Sequence, residues 1–342
     1  MQLIKHRPAA GVLLVAGALT LAGCSGSSSG GGTPTSTDTT TSQAAPPACP
    51  LTGQPATRSE DVKRPALAIK IDNVSDALPQ AGVNNADVVV EELVEGGLTR
   101  LMAIYQCQKA PVVGPIRSAR ITDADLLALL HGSVLGYSGA NPKDMPPIRE
   151  HSGAALVSYD EHPEYFHLDS SRPAPHDVFA ATQTLLRVGR KERPNLTAPP
   201  ALFHYGPIDA TAKRAHSVYL GWPAASAQWT WSGKAWLRDQ DGAADRLVDG
   251  SQISATNVVV LNVTIQDTGI KDILGNESPL DVTIGTNPAW VLRDGKMIRG
   301  SWSRQSISDG ISLTDRAGNP IDLAPGRTWI ELLPSGTKPQ RR

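Results

Sequence analysis

The apolar positions in the first half of the chain fall into short runs that are bounded by turn-forming residues. Runs of this length that are rich in apolar and β-branched side chains are typical of β-strands. Three such strands are predicted: Ala66–Asp72, Asp87–Val94 and Leu98–Gln106. The first half of the chain is therefore expected to contain a sheet.

Two helices and one long loop are predicted to follow these strands. Thr122 and Asp125 form a capping-box pattern before the apolar run 126–130, which indicates a helix there. A second helix is predicted from Asp177 to Val188, because its apolar residues have helical spacing. Residues 141–175 contain six prolines and are expected to form a long irregular surface loop.

The second half of the chain has the patterns of β-structure. A hairpin is predicted over residues 229–237 and a buried strand over residues 257–265. Asp294-Gly295 joins two further apolar runs and is a strong hairpin signal. A last strand is predicted over residues 327–333. These elements favour a small antiparallel sheet whose tryptophans pack as core, with a platform for stacking sugars as the alternative.

The aromatic residues divide the folded region into two parts. All six Tyr lie between residues 105 and 219, and all seven Trp lie between residues 222 and 329. Such segregation indicates two structural units. We predict a mixed α/β N-terminal domain over residues 49–216, a smaller and mostly antiparallel β-rich C-terminal domain over residues 217–336, and a polar tail over residues 337–342. The predicted fold class is α+β.

Residues 1–23 have the features of a bacterial lipoprotein signal peptide. A basic start at residues 5–7 precedes an apolar run that is too short for a comfortable membrane span. The run ends in LAGC at residues 21–24, which matches a lipobox. In this interpretation the Cys24 thiol receives a diacylglycerol, and acyl chains such as palmitate anchor the protein in the membrane. The alternative is an ordinary signal peptide with an incidental cysteine.

Residues 24–48 are predicted to be a disordered tether. The segment is rich in Ser, Thr, Gly and Pro, and Asp38 is its one charged residue. Because it lacks large apolar side chains, it cannot bury enough surface to offset its ordering entropy. The folded region is therefore expected to be lipid-anchored at the extracytoplasmic face of the bacterial cell membrane.

Charge and cysteine content restrict the classes of partner. The chain has 32 Lys and Arg against 33 Asp and Glu, so its formal charge is −1 and a nucleic-acid partner is disfavoured. With Cys24 lipidated, Cys49 and Cys107 remain. Outside the cytoplasm a disulfide between them is favoured over two separate thiols. The sequence has neither a metal-ligand spacing nor a nucleotide-binding glycine pattern, so no metal and no cofactor are predicted.

Several strings in both halves of the chain carry a family resemblance. The most specific are VEGGLTR at 94–100 and GPIRSAR at 114–120, supported by DVVVE at 87–91, RPAPHD at 172–177, NVVV at 257–260, GSW at 300–302 and PGRTWI at 325–330. Together they resemble the YerB-like lipoproteins, domain-of-unknown-function family 3048. The resemblance implies a two-part extracytoplasmic lipoprotein without a settled activity. Asp177 departs from the family, which usually has Asn after the Pro-His pair.

Charged and polar residues gather near the predicted strand ends. Glu91 and Glu95 are expected on one face of a strand, with Arg100 returning beside them on the next strand. His176 is expected to begin the second helix. The candidate ligand-binding residues are Asp72, Asn73, Glu91, Glu95, Arg100, Arg117, Arg120, Arg172, His176 and Asp177.

Three interpretations of this cluster remain open. In the first, the arginines pair with the carboxylates as an internal charge network. In the second, an arginine fork binds phosphate or carboxylate, as found on teichoic acid, peptidoglycan stem peptides or phospholipid headgroups. In the third, Glu91 or Glu95 acts as an acid or base with His176, while Arg117 stabilises an oxyanion. We predict an envelope-associated binding or scaffolding protein with an anion site; the alternative is a hydrolase or transferase acting on an envelope polymer.

Replacement of Cys24 by Ala is expected to abolish lipidation, because the thiol is the acyl acceptor. Growth with radiolabelled palmitate measures this directly: the parent chain incorporates label and Cys24→Ala does not. Ser25→Ala keeps the thiol and is the matched control, which should be labelled like the parent. Equal labelling of all three chains would contradict the lipobox.

Overall fold

Most of the predicted strands join one large mixed sheet. The structure, a computed structural model, describes residues 46–208 and 212–342. Its strands are β1 Ala66–Asp72, β2 Val88–Leu93, β3 Thr99–Tyr105, β4 Ser133–Tyr137, β5 Ala155–Ser158, β6 His167–Leu168, β7 Val178–Phe179, β8 Lys213–Arg214, β9 Ser217–Gly221, β10 Ser226–Trp231, β11 Trp236–Gln240, β12 Ala243–Ala244, β13 Ser254–Ala255, β14 Asn257–Lys271, β15 Glu277–Val282, β16 Gly285–Arg293, β17 Lys296–Arg304, β18 Ser312–Asp315, β19 Thr328–Pro334 and β20 Gln340–Arg341. Its helices are α1 Asp123–Ala128, α2 Met145–His151 and α3 Thr182–Glu192.

Strands from both halves of the chain share the large sheet, and the two groups meet where β19 pairs with β2. Their order is β18-β17-β16-β14-β19-β2-β3-β1-β4-β5, with β15 paired to β14 and β8 paired to β17. β1 pairs antiparallel with β3 and parallel with β4, while β2 and β19 run parallel. Residues 46–342 fall within one compact unit. The domain boundary at residues 216–217 stays a prediction, and the sheet continues across it.

Both faces of the large sheet are covered. One face packs against α3 and a second sheet, ordered β12-β11-β10-β9-β20, in a core that includes Ile69, Leu185 and Trp229. The other face packs against α1 and α2 through Leu127 and Ile148. Because neighbouring strand residues point to opposite faces, alternate side chains of β1, β2 and β3 enter different cores. The fold class is α+β, as predicted.

The predicted disulfide and the predicted Asp294-Gly295 hairpin turn are present. Cys49 and Cys107 form a disulfide with their Cα atoms 6.1 Å apart, which confirms the predicted pairing. Asp294 and Gly295 have φ values of 51° and 68° and join β16 to β17, as the hairpin signal predicts. The signal peptide and most of the tether, including Cys24, lie outside the described residues. No helix in the described part of the chain is long and apolar enough to cross a membrane.

Three local predictions were wrong. Residues 178–179 form β7, which pairs with β6, and α3 begins only at Thr182, so His176 precedes a strand rather than a helix. Residues 141–175 contain α2 and β5 instead of an irregular loop. The Thr122 side chain does not cap α1, because its Oγ1 accepts a hydrogen bond from the Asp281 N–H at 3.1 Å. In each case tertiary contacts outweigh the local signal.

Candidate functional site

The segment 115–119 lies along the end of β1. The Asp72 N–H donates to the Pro115 carbonyl at 2.9 Å, and the Arg117 N–H donates to the Lys70 carbonyl at 3.0 Å. The same segment bonds on its other side to the residue that follows β4. The GPIRSAR string therefore places Arg117, and Arg120 after it, beside the end of β1.

Gly114 permits the close packing of this segment on β7. It has a φ of 153°, and a Cβ at this position would lie 2.6 Å from a ring carbon of Phe179 and 2.8 Å from the Val178 carbonyl oxygen. That carbonyl accepts a hydrogen bond from the Ile116 N–H at 2.7 Å. A glycine is required here because any side chain would push β7, and with it His176, away from β1.

One carboxylate oxygen of Asp72 contacts both Arg117 and His176. The Arg117 Nε donates to the Asp72 Oδ2 at 2.9 Å, and the His176 Nδ1 lies 2.8 Å from the same oxygen. The Asp72 side chain is 1% exposed, whereas that of Arg117 is 25% exposed. A buried carboxylate thus orients two partly exposed side chains at the surface.

Arg120 pairs with the second carboxylate of the site. Its Nε donates to the Glu95 Oε2 at 2.8 Å, and the other Glu95 oxygen accepts a hydrogen bond from the Ser278 hydroxyl. The Arg120 N–H donates to the Asp123 Oδ2 at 2.7 Å. Burial raises the pKa of Glu95, but the Arg120 charge and these hydrogen bonds outweigh it, so the net shift is downward. Glu95 is therefore ionised and holds Arg120 in place.

Among the described residues, Arg100 forms no ion pair with a carboxylate, unlike Arg117 and Arg120. It lies opposite Asp72 in the β1–β3 register and is 5% exposed. Its Nη1 donates to the Ser118 carbonyl at 3.4 Å, and its Nε has no hydrogen-bond partner among the described residues. Burial, followed by the charge of Arg120, lowers the pKa of Arg100 to about 10. The side chain still carries its charge at neutral pH.

These side chains form a group with excess positive charge. We call it the arginine site: Asp72, Glu95, Arg100, Arg117, Arg120 and His176. Within this set three guanidiniums face two carboxylates, before any charge on the histidine is counted, and Asp123 and Asp144 lie next to Arg120. A phosphate or carboxylate group is the type of ligand that would complete such a set with charge-assisted hydrogen bonds.

Glu91 belongs to a different, fully internal network. Its Oε2 accepts from the Arg238 Nη2 at 2.7 Å, and its Oε1 accepts from Thr99 at 2.7 Å and from Asn73 at 3.1 Å. Arg238 has no exposed surface and also pairs with Asp245. Glu91 and Glu95, predicted to share a strand face, therefore have separate partners, and Glu91 ties the large sheet to the second sheet.

The carboxyl group of Glu331 completes this internal network. Glu331 on β19 lies opposite Glu91 on β2 and accepts a hydrogen bond from the Trp229 Nε1 at 2.6 Å. Burial, together with the neighbouring Glu91 charge, raises the pKa of Glu331 well above its usual range. Its neutral form is therefore favoured, which avoids two adjacent buried anions. The Arg238 guanidinium also lies over the Trp329 ring, 5.1 Å from its centroid.

A second buried network lies on the opposite face of the sheet. The Lys70 Nζ pairs with Glu92 and, at 2.7 Å, with the Asp123 Oδ1, and none of these side chains is exposed. Burial raises the pKa of Glu92 to about 7, against the opposing effect of Lys70. Asp123 also accepts a hydrogen bond from the Arg120 N–H, so this network helps to fix the position of Arg120 in the arginine site.

The remaining predicted site residues have other partners, although the Asn73 N–H also donates to the Asp72 Oδ1 at 3.0 Å. Arg172 donates to the carbonyls of Ala77 and Pro79 at 2.9 and 2.6 Å, so it joins two loops. The Asp177 carbonyl accepts from the Asp169 N–H at 2.8 Å. Asn73, as noted, contacts Glu91. Lys70 was not predicted as a site residue. Its signal in the sequence was a lysine among the apolar residues of β1.

The described residues offer no preformed metal site. Within 46–208 and 212–342, no group of three His, Cys, Asp or Glu side chains is arranged to hold a metal ion.

The family of the chain follows from matches to both of its halves. Residues 51–195 match the N-terminal domain, and residues 218–330 the C-terminal domain, of the family described as "Protein of unknown function (DUF3048)". The chain belongs to the DUF3048 family. This membership confirms the resemblance found in the sequence strings, and both matched ranges contribute strands to the large sheet of this DUF3048 protein.

Relatives of this DUF3048 protein include one from Bacillus subtilis (strain 168), named "Putative lipoprotein YerB". It is 24% identical over 298 residues, which cover 83% of this chain and 86% of the relative. The crystal structure of the YerB protein from Bacillus subtilis is similar with a TM-score of 0.71 at 21% identity, covering 84% of this chain and 96% of that chain. At this identity the structural likeness shows a shared fold.

Arg238→Gln is expected to lower the free energy of unfolding by about 3–5 kcal/mol at neutral pH, because it leaves buried carboxylates without their counter-charge. Urea unfolding measures the loss, with Arg187→Gln on the exposed side of α3 as the control. Burial already raises the pKa of Asp245, and loss of Arg238 would raise it further. The difference from the parent should therefore shrink as the pH falls and these carboxyls are neutralised. A loss below about 1 kcal/mol would contradict the network assignment.

Proposed function

We propose that this DUF3048 protein is a lipid-anchored envelope protein that binds an anionic group at the arginine site. The lipobox at residues 21–24 and the lipoprotein name of the Bacillus subtilis relative support the anchor. The proposed location is the extracytoplasmic face of the cell membrane. The proposed ligand carries phosphate or carboxylate and belongs to an envelope polymer or a peptidoglycan fragment.

The observation that carries the anion site is the unpaired charge of Arg100. A buried guanidinium without a carboxylate is costly, since desolvation is not repaid by an internal ion pair. Arg117 and Arg120 each have such a pair; their charges repel Arg100, while the charges of Asp72 and Glu95 attract it without forming an ion pair. A residue kept in an environment that costs stability is typical of a functional role.

The partly exposed side chains give the ligand access. Arg117 and His176 have 25% and 14% of their side-chain surface exposed, while Arg100 lies beneath. A guanidinium binds phosphate or carboxylate through parallel N–H donors, so a ligand oxygen could bridge Arg117 and Arg100. Asp72 would keep Arg117 oriented for this contact.

Arg100→Gln is expected to remove anion binding without loss of stability, since it deletes an unpaired buried charge. Inorganic phosphate at ten times its Kd should stabilise the parent by about 1.4 kcal/mol, a rise in Tm of roughly 2–4 °C. Thermal unfolding with increasing phosphate, and separately with citrate as the carboxylate probe, measures the effect. The variant should show an equal or higher Tm without ligand and no rise with either anion.

Arg187→Gln is the matched control, because it removes one exposed guanidinium from α3 and should retain the full rise in Tm. A parent chain that neither anion stabilises would contradict the anion site. A strongly destabilised Arg100→Gln variant would instead assign Arg100 to the internal network.

The Asp72–His176 pair favours a second function, a hydrolase or transferase that acts on an envelope polymer. An Asp oxygen 2.8 Å from the His Nδ1 holds the imidazole in the tautomer whose Nε2 can accept a proton. The neighbouring guanidiniums could stabilise a developing oxyanion. This assignment differs from the sequence-based one, because Asp72 takes the place of Glu91 or Glu95 beside His176.

Under this second function, His176→Gln should abolish turnover while leaving phosphate binding intact. Release of nitrophenol from bis(4-nitrophenyl) phosphate and from 4-nitrophenyl acetate measures turnover in the parent and the variant. A parent without activity on either probe, or a variant with undiminished activity, would remove the catalytic role and leave binding as the function.

A further inference from the structure

A polar cleft lies at the N-terminal ends of three neighbouring strands of the large sheet. It has a volume of about 310 Å³, and its lining consists of small and polar residues, none of them aromatic. We call it the amide cleft, and its residues include Gln54, Asn85, Asp87, Gln108, Thr256 and Arg327. It shares no residue with the arginine site. The two sites lie at opposite ends of β2, whose six residues span about 20 Å.

The strand register brings three residues of the amide cleft side by side. β14, β19 and β2 are neighbours, run parallel and begin in register. The residues that precede these strands are Thr256, Arg327 and Asp87. The Thr256 N–H donates to the Arg327 carbonyl at 3.0 Å, and the Thr328 N–H donates to the Asp87 carbonyl at 3.3 Å. The fold thus gathers side chains from three distant parts of the chain at one edge of the sheet.

Asp87 has a buried carboxylate oxygen without a partner. The residue is 1% exposed, and its Oδ2 accepts from the N–H groups of Gln106 and Gln108 at 2.5 and 3.2 Å. Its Oδ1 has no hydrogen-bond partner among the described residues. Burial raises the pKa of Asp87 to about 6, against the effect of these hydrogen bonds, so the carboxyl is mainly ionised at neutral pH. A ligand that donates a hydrogen bond would satisfy the free oxygen.

Arg327 balances the charge of Asp87, but its donors are already engaged. Its Nε donates to the Ala86 carbonyl at 3.2 Å, its Nη1 to the Asn84 Oδ1 at 2.9 Å, and its Nη2 to the Asn84 carbonyl. Asp87 and Arg327 are the two charged residues of the lining, so the formal charges cancel. The amide cleft therefore suits an uncharged ligand better than an anion or a cation.

The other polar side chains of the amide cleft are free to bind a ligand. Within residues 46–208 and 212–342, the side chains of Gln54, Asn85, Gln108 and Thr256 make no hydrogen bond. The three amide residues are also exposed. An amide or hydroxyl group both donates and accepts, and the hydroxyls of a sugar do the same.

We infer that the amide cleft binds an uncharged sugar unit of a glycan. One sugar hydroxyl donates to the Asp87 Oδ1, and others pair with the amides of Asn85 and Gln108. The volume is at the lower end of the range for small-ligand sites. An apolar ligand would desolvate these amides without pairing them. An extended peptide is recognised through the backbone groups of an open strand edge, whereas the free groups here belong to side chains.

The test uses the full chain in polyoxyethylene detergent micelles, which carry no sugar, with tri-N-acetylchitotriose and maltotriose as uncharged probes. Isothermal titration gives the affinity for each probe at low and at high salt. At least one should bind, and its affinity should change by less than about twofold with salt, because no ion pair forms. Asn85→Ala/Gln108→Ala should bind that probe at least about tenfold more weakly, since it removes two neutral hydrogen-bonding groups.

The matched control is Gln183→Ala/Asn195→Ala, which removes two exposed amides elsewhere and should keep the parent affinity. Arg100→Gln should also keep it, which separates this result from the outcome at the arginine site. Failure of both sugars to bind the parent would overturn the inference, and so would equal binding by Asn85→Ala/Gln108→Ala. A steep loss of affinity with salt would overturn the uncharged ligand. Equal affinity for the peptide acetyl-Ala-Ala-Ala-amide would assign the cleft to peptides instead of sugars.

Discussion

The large sheet is buried on both faces, so a charge on its central strands is costly unless it has a partner inside the protein. Glu91 and Glu92 are neighbours on β2, so they point to opposite faces. Glu91 meets Arg238 of the second sheet, and Glu92 meets Lys70 beside α1. These pairings attach both covering layers to the sheet. Removal of one partner from such a pair is costly because the other charge stays buried.

The arginine site begins where this internal pairing ends. Toward the end of β1 and the start of β3, the covering layers no longer supply a carboxylate for each guanidinium, and Arg100 is left without one. The same face of the sheet therefore carries Lys70 on β1, whose charge is neutralised, and Arg100 on β3, whose charge is not. The difference is one of position: a completed pair in the sheet interior stabilises the fold, whereas an incomplete set at its edge leaves room for a ligand.

The sequence predicted the features that depend on local chemistry. The strand Ala66–Asp72, the Asp294-Gly295 hairpin and the Cys49–Cys107 disulfide follow from residue pattern, turn chemistry and compartment. It also predicted that Arg117 and Arg120 gather with carboxylates near strand ends. It could not find Arg238, which is 147 residues from Glu91 in the chain, because neither the strand register nor the packing of the second sheet is written in a local pattern. The same limit explains the wrong start of the second helix at Asp177, because residues 178–179 pair as β7 with β6 and the helix begins only at Thr182.

The two parts of the large sheet cannot join until β19, which lies between β14 and β2, has been made. β19 lies between β14 and β2, so the outer edge of β2 has no neighbour until Thr328–Pro334 arrive. An unpaired edge of this kind is a template for association with other chains. Contacts between such distant segments also slow folding, because loop closure must precede the gain from pairing. During synthesis from the N-terminus, the seam between β2 and β14 therefore stays open until Thr328–Pro334 are available to fill it.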